Sequence, residues 1–227
     1  MIAILVVLAL ALVLGPQLWA RHALKRHARA RPDLPGNGGE FARHLLAQAR
    51  MHDYRVERAA DGVGDHFDPT RRVVALSAAH HDQRSLAAVV VAAHEVGHAI
   101  QHHIGYRPLY ARQRLARFAG VAEKLAALAL VAMPFLAVVT RAPAAGAGLL
   151  LLGIGGMLIP VLVHLVTLPV ELDASFRRAL PILELGYLER RDLPAARRIL
   201  AACALTYVAG ALASLLNFAR WIRVLRR

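Results

Sequence analysis

The chain has 227 residues, 57% of them hydrophobic, and 28 Lys and Arg against 15 Asp and Glu give a formal net charge of +13. With a mean hydropathy of +0.44, this mixture departs from that of ordinary soluble domains. The basic residues cluster at the ends of apolar runs and are not interleaved with aromatics that stack on bases, which argues against nucleic acid as a partner.

Taken in chain order, residues 1–20 are nearly all Leu, Val, Ile and Ala. Arg21, His22, Lys25, Arg26, His27 and Arg29 follow directly. That charge order predicts an N-terminal transmembrane anchor with its basic end in the cytoplasm, where a cleaved signal peptide would carry the charge at its start. Residues 21–39 read as a basic linker, rich in Pro and Gly towards its end. An amphipathic helix is expected over 40–52, with Phe41, Leu45, Leu46 and Ala49 on one face. Strand-like pieces follow at 54–57 and 72–77, separated by turn signals at 61–65 and 68–70. The stretch 73–77 is a candidate open edge for pairing with a substrate strand.

Ser85 can cap a helix that runs through an all-apolar stretch into His94 and ends near Gly105; apolar residues all round imply burial on every side. Apolar runs at 125–140 and 147–170 read as a transmembrane hairpin within 119–170. A polar segment spans 171–198, and 199–227 is expected to hold a last span and a basic tail. The expected fold is mainly α: a polytopic membrane helical bundle with a small strand element. Its catalytic segment, 40–118, and the segment 171–198 are placed on the cytoplasmic side of the inner membrane.

His94-Glu95-Val96-Gly97-His98 is an H-E-x-x-H motif on a predicted helix. Histidines four apart lie one turn along and on one face, so both imidazoles can bind a single Zn²⁺, while Glu95 projects beside them as a general base. Cys203, the single cysteine, offers no thiolate cluster, so a metal here must use His and carboxylate. His102 is two turns from His94, too far to close a tetrahedron, and reads with His103 as solvated or interfacial. Gln101 and Ile104 stand where a metzincin needs Gly and His. A distant carboxylate is therefore needed, and Glu171 is the candidate because an even number of spans returns the chain to the same side. Asp173 is expected on another face, paired with Arg177, and Glu184 beyond a helix break at Pro181. Tyr207 and His66 are candidate donors to a tetrahedral oxyanion. A non-catalytic, zinc-stabilised membrane scaffold is the competing reading, but a closed structural site has no use for Glu95.

The segments 38–46, 65–77 and 85–101, with Leu-Pro-Val-Glu-Leu-Asp-Ala-Ser at 168–175 and Ala-Leu-Thr-Tyr-Val-Ala at 204–209, resemble the YugP-type neutral zinc metallopeptidases of bacterial membranes. The likeness covers most of the chain from Gly36 onward. It implies a zinc peptidase without naming a substrate; polypeptides, with membrane proteins as one candidate class, and the lipid bilayer are the expected partners. A looser similarity to HtpX-type membrane proteases places the third zinc ligand on Glu171. Ser175 departs from that pattern, which has Asp at this position to orient a zinc ligand.

Overall fold

The computed structural model describes residues 2–140, 159, 162–205 and 208. Helix α1 (Ile2–Arg26) leads into a segment pinned along the start of the central helix, with Arg31 N–H donating to the Arg84 carbonyl at 2.8 Å. Arg31 also grips Asp192 through two 3.0 Å hydrogen bonds. The basic stretch after α1 is thereby tied to Arg84 and to Asp192.

Helix α2 (Gly38–Gln48) starts at Asn37, whose side chain accepts from Glu40 N–H while Glu40 returns a bond to Asn37 N–H. This reciprocal capping sets the helix start two residues earlier than expected. Phe41, Ala42, Leu45 and Leu46 form its buried face, whereas Ala49 is exposed.

Three short strands follow: β1 (Arg55–Arg58), β2 (His66–Asp68) and β3 (Val73–Leu76), in the order β1-β3-β2. β1 runs parallel to β3 and β2 antiparallel to it, with Val56 and Phe67 both registered on Val74. All four β3 residues are buried, so this strand is the centre of the sheet. The expectation of an open edge at 73–77 is thus corrected: the open edges belong to β1 and β2. The turn signals on either side of His66 hid β2 in the sequence, because three residues are too few to show a period.

After a short α3 (Ala78–His81), helix α4 (Leu86–His103) begins at Ser85, whose hydroxyl accepts from Ala88 N–H at 3.2 Å. Every residue from Leu86 to Ala99 is buried, as its apolar circumference implies. Gly105, at φ +71°, turns the chain into the long α5 (Arg107–Thr140).

A helical run α6 covers 162–182, and its middle, Asp173–Ala179, winds in π-helical turns. The wider winding carries the helix across Pro181, where a break was expected, because the i→i−5 pattern places Leu180 N–H on the Ser175 carbonyl. The chain leaves this helical path at Leu185 and Gly186, the latter at φ +106°, before helix α7 over 193–205. α2, α4, the sheet, the π-wound segment and α7 share one apolar core around Val90, Val96, Leu183, Ile199 and Leu200.

The expected polytopic membrane bundle is overturned. Among the described residues no helix is long and apolar enough to cross a membrane. α1 carries Pro16 within it and ends on Lys25 and Arg26. α5 keeps Arg and Lys through residue 124, so its apolar remainder, 125–140, is shorter than the ~20 residues a crossing needs. Much of the expected hairpin and of the last span lies outside the described residues. The architecture is mainly helical around a three-stranded sheet.

Candidate metal centre

Two histidines and a carboxylate meet where α4 crosses α6. The His94 and His98 rings stand one turn apart, 4.8 Å between centroids and nearly perpendicular at 79°. From α6, the Glu171 side chain, 0% exposed, brings Oε2 to 3.3 Å from His94 Nε2 and 3.2 Å from His98 Nε2. Ligand atoms of all three residues lie within 4.8 Å of one another.

The crossing depends on Gly97. A Cβ there would lie 2.7 Å from the backbone oxygen of Ala174, so glycine lets the two helix backbones approach until Glu171 and Ser175 stand beside the histidines.

Hydrogen-bond partners place the protons of both rings. Ser175 Oγ is 3.2 Å from the Leu200 carbonyl oxygen, which can only accept, so the hydroxyl proton points there. His94 Nδ1, 3.0 Å from the same Oγ, must then carry a proton and donate it. Gln101 is fixed in the same way: its amide Nε2 donates to the Val170 carbonyl and to Asp173 Oδ2, both at 2.8 Å. Its Oε1 therefore accepts from His98 Nδ1 at 3.0 Å. In the neutral state both rings turn an Nε2 lone pair towards the Glu171 carboxylate.

Three buried acceptors converging without a proton among them repel one another unless a cation joins them. The separations suit one. Zinc–ligand distances of ~2.0–2.1 Å give tetrahedron edges of ~3.3 Å, close to the 3.2 and 3.3 Å found. The titration tendencies agree: burial disfavours a charged His98, but the neighbouring Glu171 carboxylate outweighs it and raises the His98 pKa. Burial alone would raise the Glu171 pKa, yet His98 and His94 hold it well below the ordinary carboxylate range.

Glu95 sits beside this group on the wall of a cavity of about 490 Å³, together with His94 and His98. β2 and the residues after it form a second wall through His66, Phe67 and Thr70, and α5 a third through Leu109, Arg112 and Arg117. Glu95 is buried, and burial raises its pKa, partly offset by His94 and His98. Among the described residues its carboxylate makes no hydrogen bond and no ion pair. A carboxylate kept for structure would have one.

The other expected site residues are distributed as follows. His66 lines the cavity, but its Nδ1 donates to the Gly64 carbonyl at 2.9 Å, so the neutral ring presents an acceptor at Nε2 and serves an oxyanion only as imidazolium. Tyr207 lies outside the described residues. Glu184 is exposed, paired with Arg197 at 2.8 Å. His102 is half-buried on the cavity wall, with Nδ1 at 2.7 Å from Tyr54 Oη.

Asp173 does not pair with Arg177. The π winding brings Arg178, five residues on, to 3.1 Å, and Asp173 is buried at 4% exposure behind Gln101. Asp173→Ala should therefore cost more than a surface ion pair, ~1–3 kcal/mol for the buried donors left unsatisfied. Zinc affinity should also fall, by ~10-fold, as Gln101 loses its hold on His98. Thermal unfolding of the metal-free protein and a zinc titration would measure the two losses.

Sequence reasoning missed the roles of Gly97, Gln101 and Arg112. Gln101 could have been found, since it stands three residues after His98 on the same helix and faces the same way. No local pattern marks Arg112, which reaches the site from another helix.

The family described as "Putative neutral zinc metallopeptidase" matches residues 2–226. The "Putative membrane protease YugP" of Bacillus subtilis (strain 168) is 34% identical over 217 residues, covering 93% of this chain and 92% of that protein. No solved structure matches the chain.

Proposed function

Because the chain belongs to this neutral zinc metallopeptidase family, we propose that it is a zinc-dependent endopeptidase in which His94, His98 and Glu171 hold the ion and Glu95 is the general base. One observation carries the reading: two Nε2 lone pairs and a carboxylate oxygen converge beside a second carboxylate, on a cavity wall, that has no partner among the described residues. When bound there, zinc supplies a Lewis acid that activates water and polarises the scissile carbonyl.

The chain's own residues do the rest. Ser175 and Gln101 accept from the two Nδ1–H groups and so orient the imidazoles with Nε2 towards Glu171. Glu95 takes the proton of the attacking water and passes it to the leaving amine. A substrate strand pairs with the open side of β2, whose His66 and Phe67 line the cavity. The scaffold alternative fits less well, because a structural zinc site is closed by four protein ligands. Among the described residues the metal-capable group has three. Membrane association, in the printed name of the Bacillus relative, is supported here by the exposed Leu14, Leu18 and Trp19 on α1 beside its basic end.

The purified protein should contain about one zinc per chain and cleave casein. A chelator should stop cleavage, added zinc should restore it, and Glu171→Ala should lower zinc affinity by ~10-fold or more. Undiminished cleavage by protein shown metal-free by elemental analysis would end this reading.

A further inference from the structure

Glu171 has two carboxylate oxygens, and the fold treats them differently. Oε2 faces His94 and His98, while Oε1 accepts a 2.9 Å hydrogen bond from Arg112 Nη1. Arg112 comes from α5, which among the described residues supplies no member of the metal-capable group. It stands one turn after Leu109, which is buried at 3% exposure, and beside Tyr110, whose hydroxyl donates to the His102 carbonyl at 3.1 Å. These contacts fix the first turns of α5 against the end of α4, so the guanidinium approaches the site from an anchored backbone.

The terminal torsion of a glutamate is broad and roughly two-fold. Backbone position alone therefore does not decide whether one oxygen or both would face a cation between the histidines. The ion pair with Arg112 decides it by engaging Oε1. We propose that Arg112 is a positioning residue that restricts Glu171 to a single ligating oxygen, which keeps a coordination position open to the cavity. The proposal rests on the metal site assigned above. Arg112 also lines the cavity, with its side chain 24% exposed, so it takes this role at the mouth of the site and not from behind it.

Cobalt(II) in place of zinc tests this directly, because its visible absorption weakens as the coordination number rises. Arg112→Ala should show weaker, shifted cobalt bands, as Oε1 turns to the metal, and a zinc dissociation constant raised by ~10-fold. Arg112→Lys, which keeps a charged donor for the single bond, should recover most of the wild-type spectrum. Should Arg112→Ala not fold, Arg112→Gln takes its place with the same expectation. A wild-type spectrum and zinc affinity in the uncharged variant would overturn the proposal, as would a lysine variant altered as much as the alanine one. Failure of the wild-type protein to take up cobalt or zinc at all would instead refute the metal site itself, so the two failures are distinguishable.

Discussion

Glu95→Gln should keep its zinc and its melting temperature while peptide hydrolysis falls by ~10²–10⁴-fold. The exchange is nearly isosteric, and the carboxylate makes no hydrogen bond among the described residues, so no structural contact is lost. Glutamine in fact removes a burden, because burial works against the charged form of Glu95. What disappears is the ability to accept a proton beside His94 and His98. The measurement is kcat on a peptide substrate together with zinc content and thermal unfolding of both proteins. Loss of zinc or of stability in proportion to activity would make Glu95 a structural residue, and retained activity would move the base elsewhere.

The metal centre was largely legible in the sequence because its histidine pair is local. His94 and His98 follow from helical periodicity, whereas the count of membrane spans that pointed to Glu171 is not supported by the structure, even though the structure brings Glu171 to the histidines. The capped, all-buried α4 followed from Ser85 and the apolar run behind it. The errors arose where geometry departs from the regular period. The π winding at Asp173–Ala179 re-paired Asp173 with Arg178 and carried the helix across Pro181, and neither outcome can be read from a 3.6-residue repeat. Ser175 looked like the loss of an orienting carboxylate. A hydroxyl suffices there, because the Leu200 carbonyl takes its proton and leaves the oxygen to accept from His94.

The bundle expectation failed for another reason. A crossing requires an uninterrupted apolar helical length, which composition alone does not give. Basic residues persist along α5 to Lys124, on the helix that also sends Arg112 into the site and Arg117 to the cavity wall. The charge of that segment thus borders the cavity and engages the Glu171 carboxylate.

Gly97→Ala is the substitution expected to damage the metal site most without touching a ligand. On helix propensity alone it should stabilise the protein, since alanine exceeds glycine by ~1 kcal/mol in a helix interior. Sterics oppose this: the new methyl would lie 2.7 Å from the Ala174 carbonyl oxygen and 3.3 Å from its carbonyl carbon, and a backbone group cannot turn aside as a side-chain tip does. The π-wound segment would have to move off α4, and overpacking of this kind costs ~1–3 kcal/mol. That cost matches or exceeds the propensity gain, so the metal-free melting temperature should change little or fall. Zinc binding should suffer more. Ser175 is on the displaced segment and Glu171 two residues before its start, and metal sites tolerate ligand shifts of only ~0.2 Å. A loss of ~100-fold in zinc affinity is expected, measured by competition with a chromogenic chelator beside thermal unfolding without metal. A variant that melts higher and binds zinc as tightly as the wild type would show that the close crossing at Gly97 is not what brings Glu171 to the histidines.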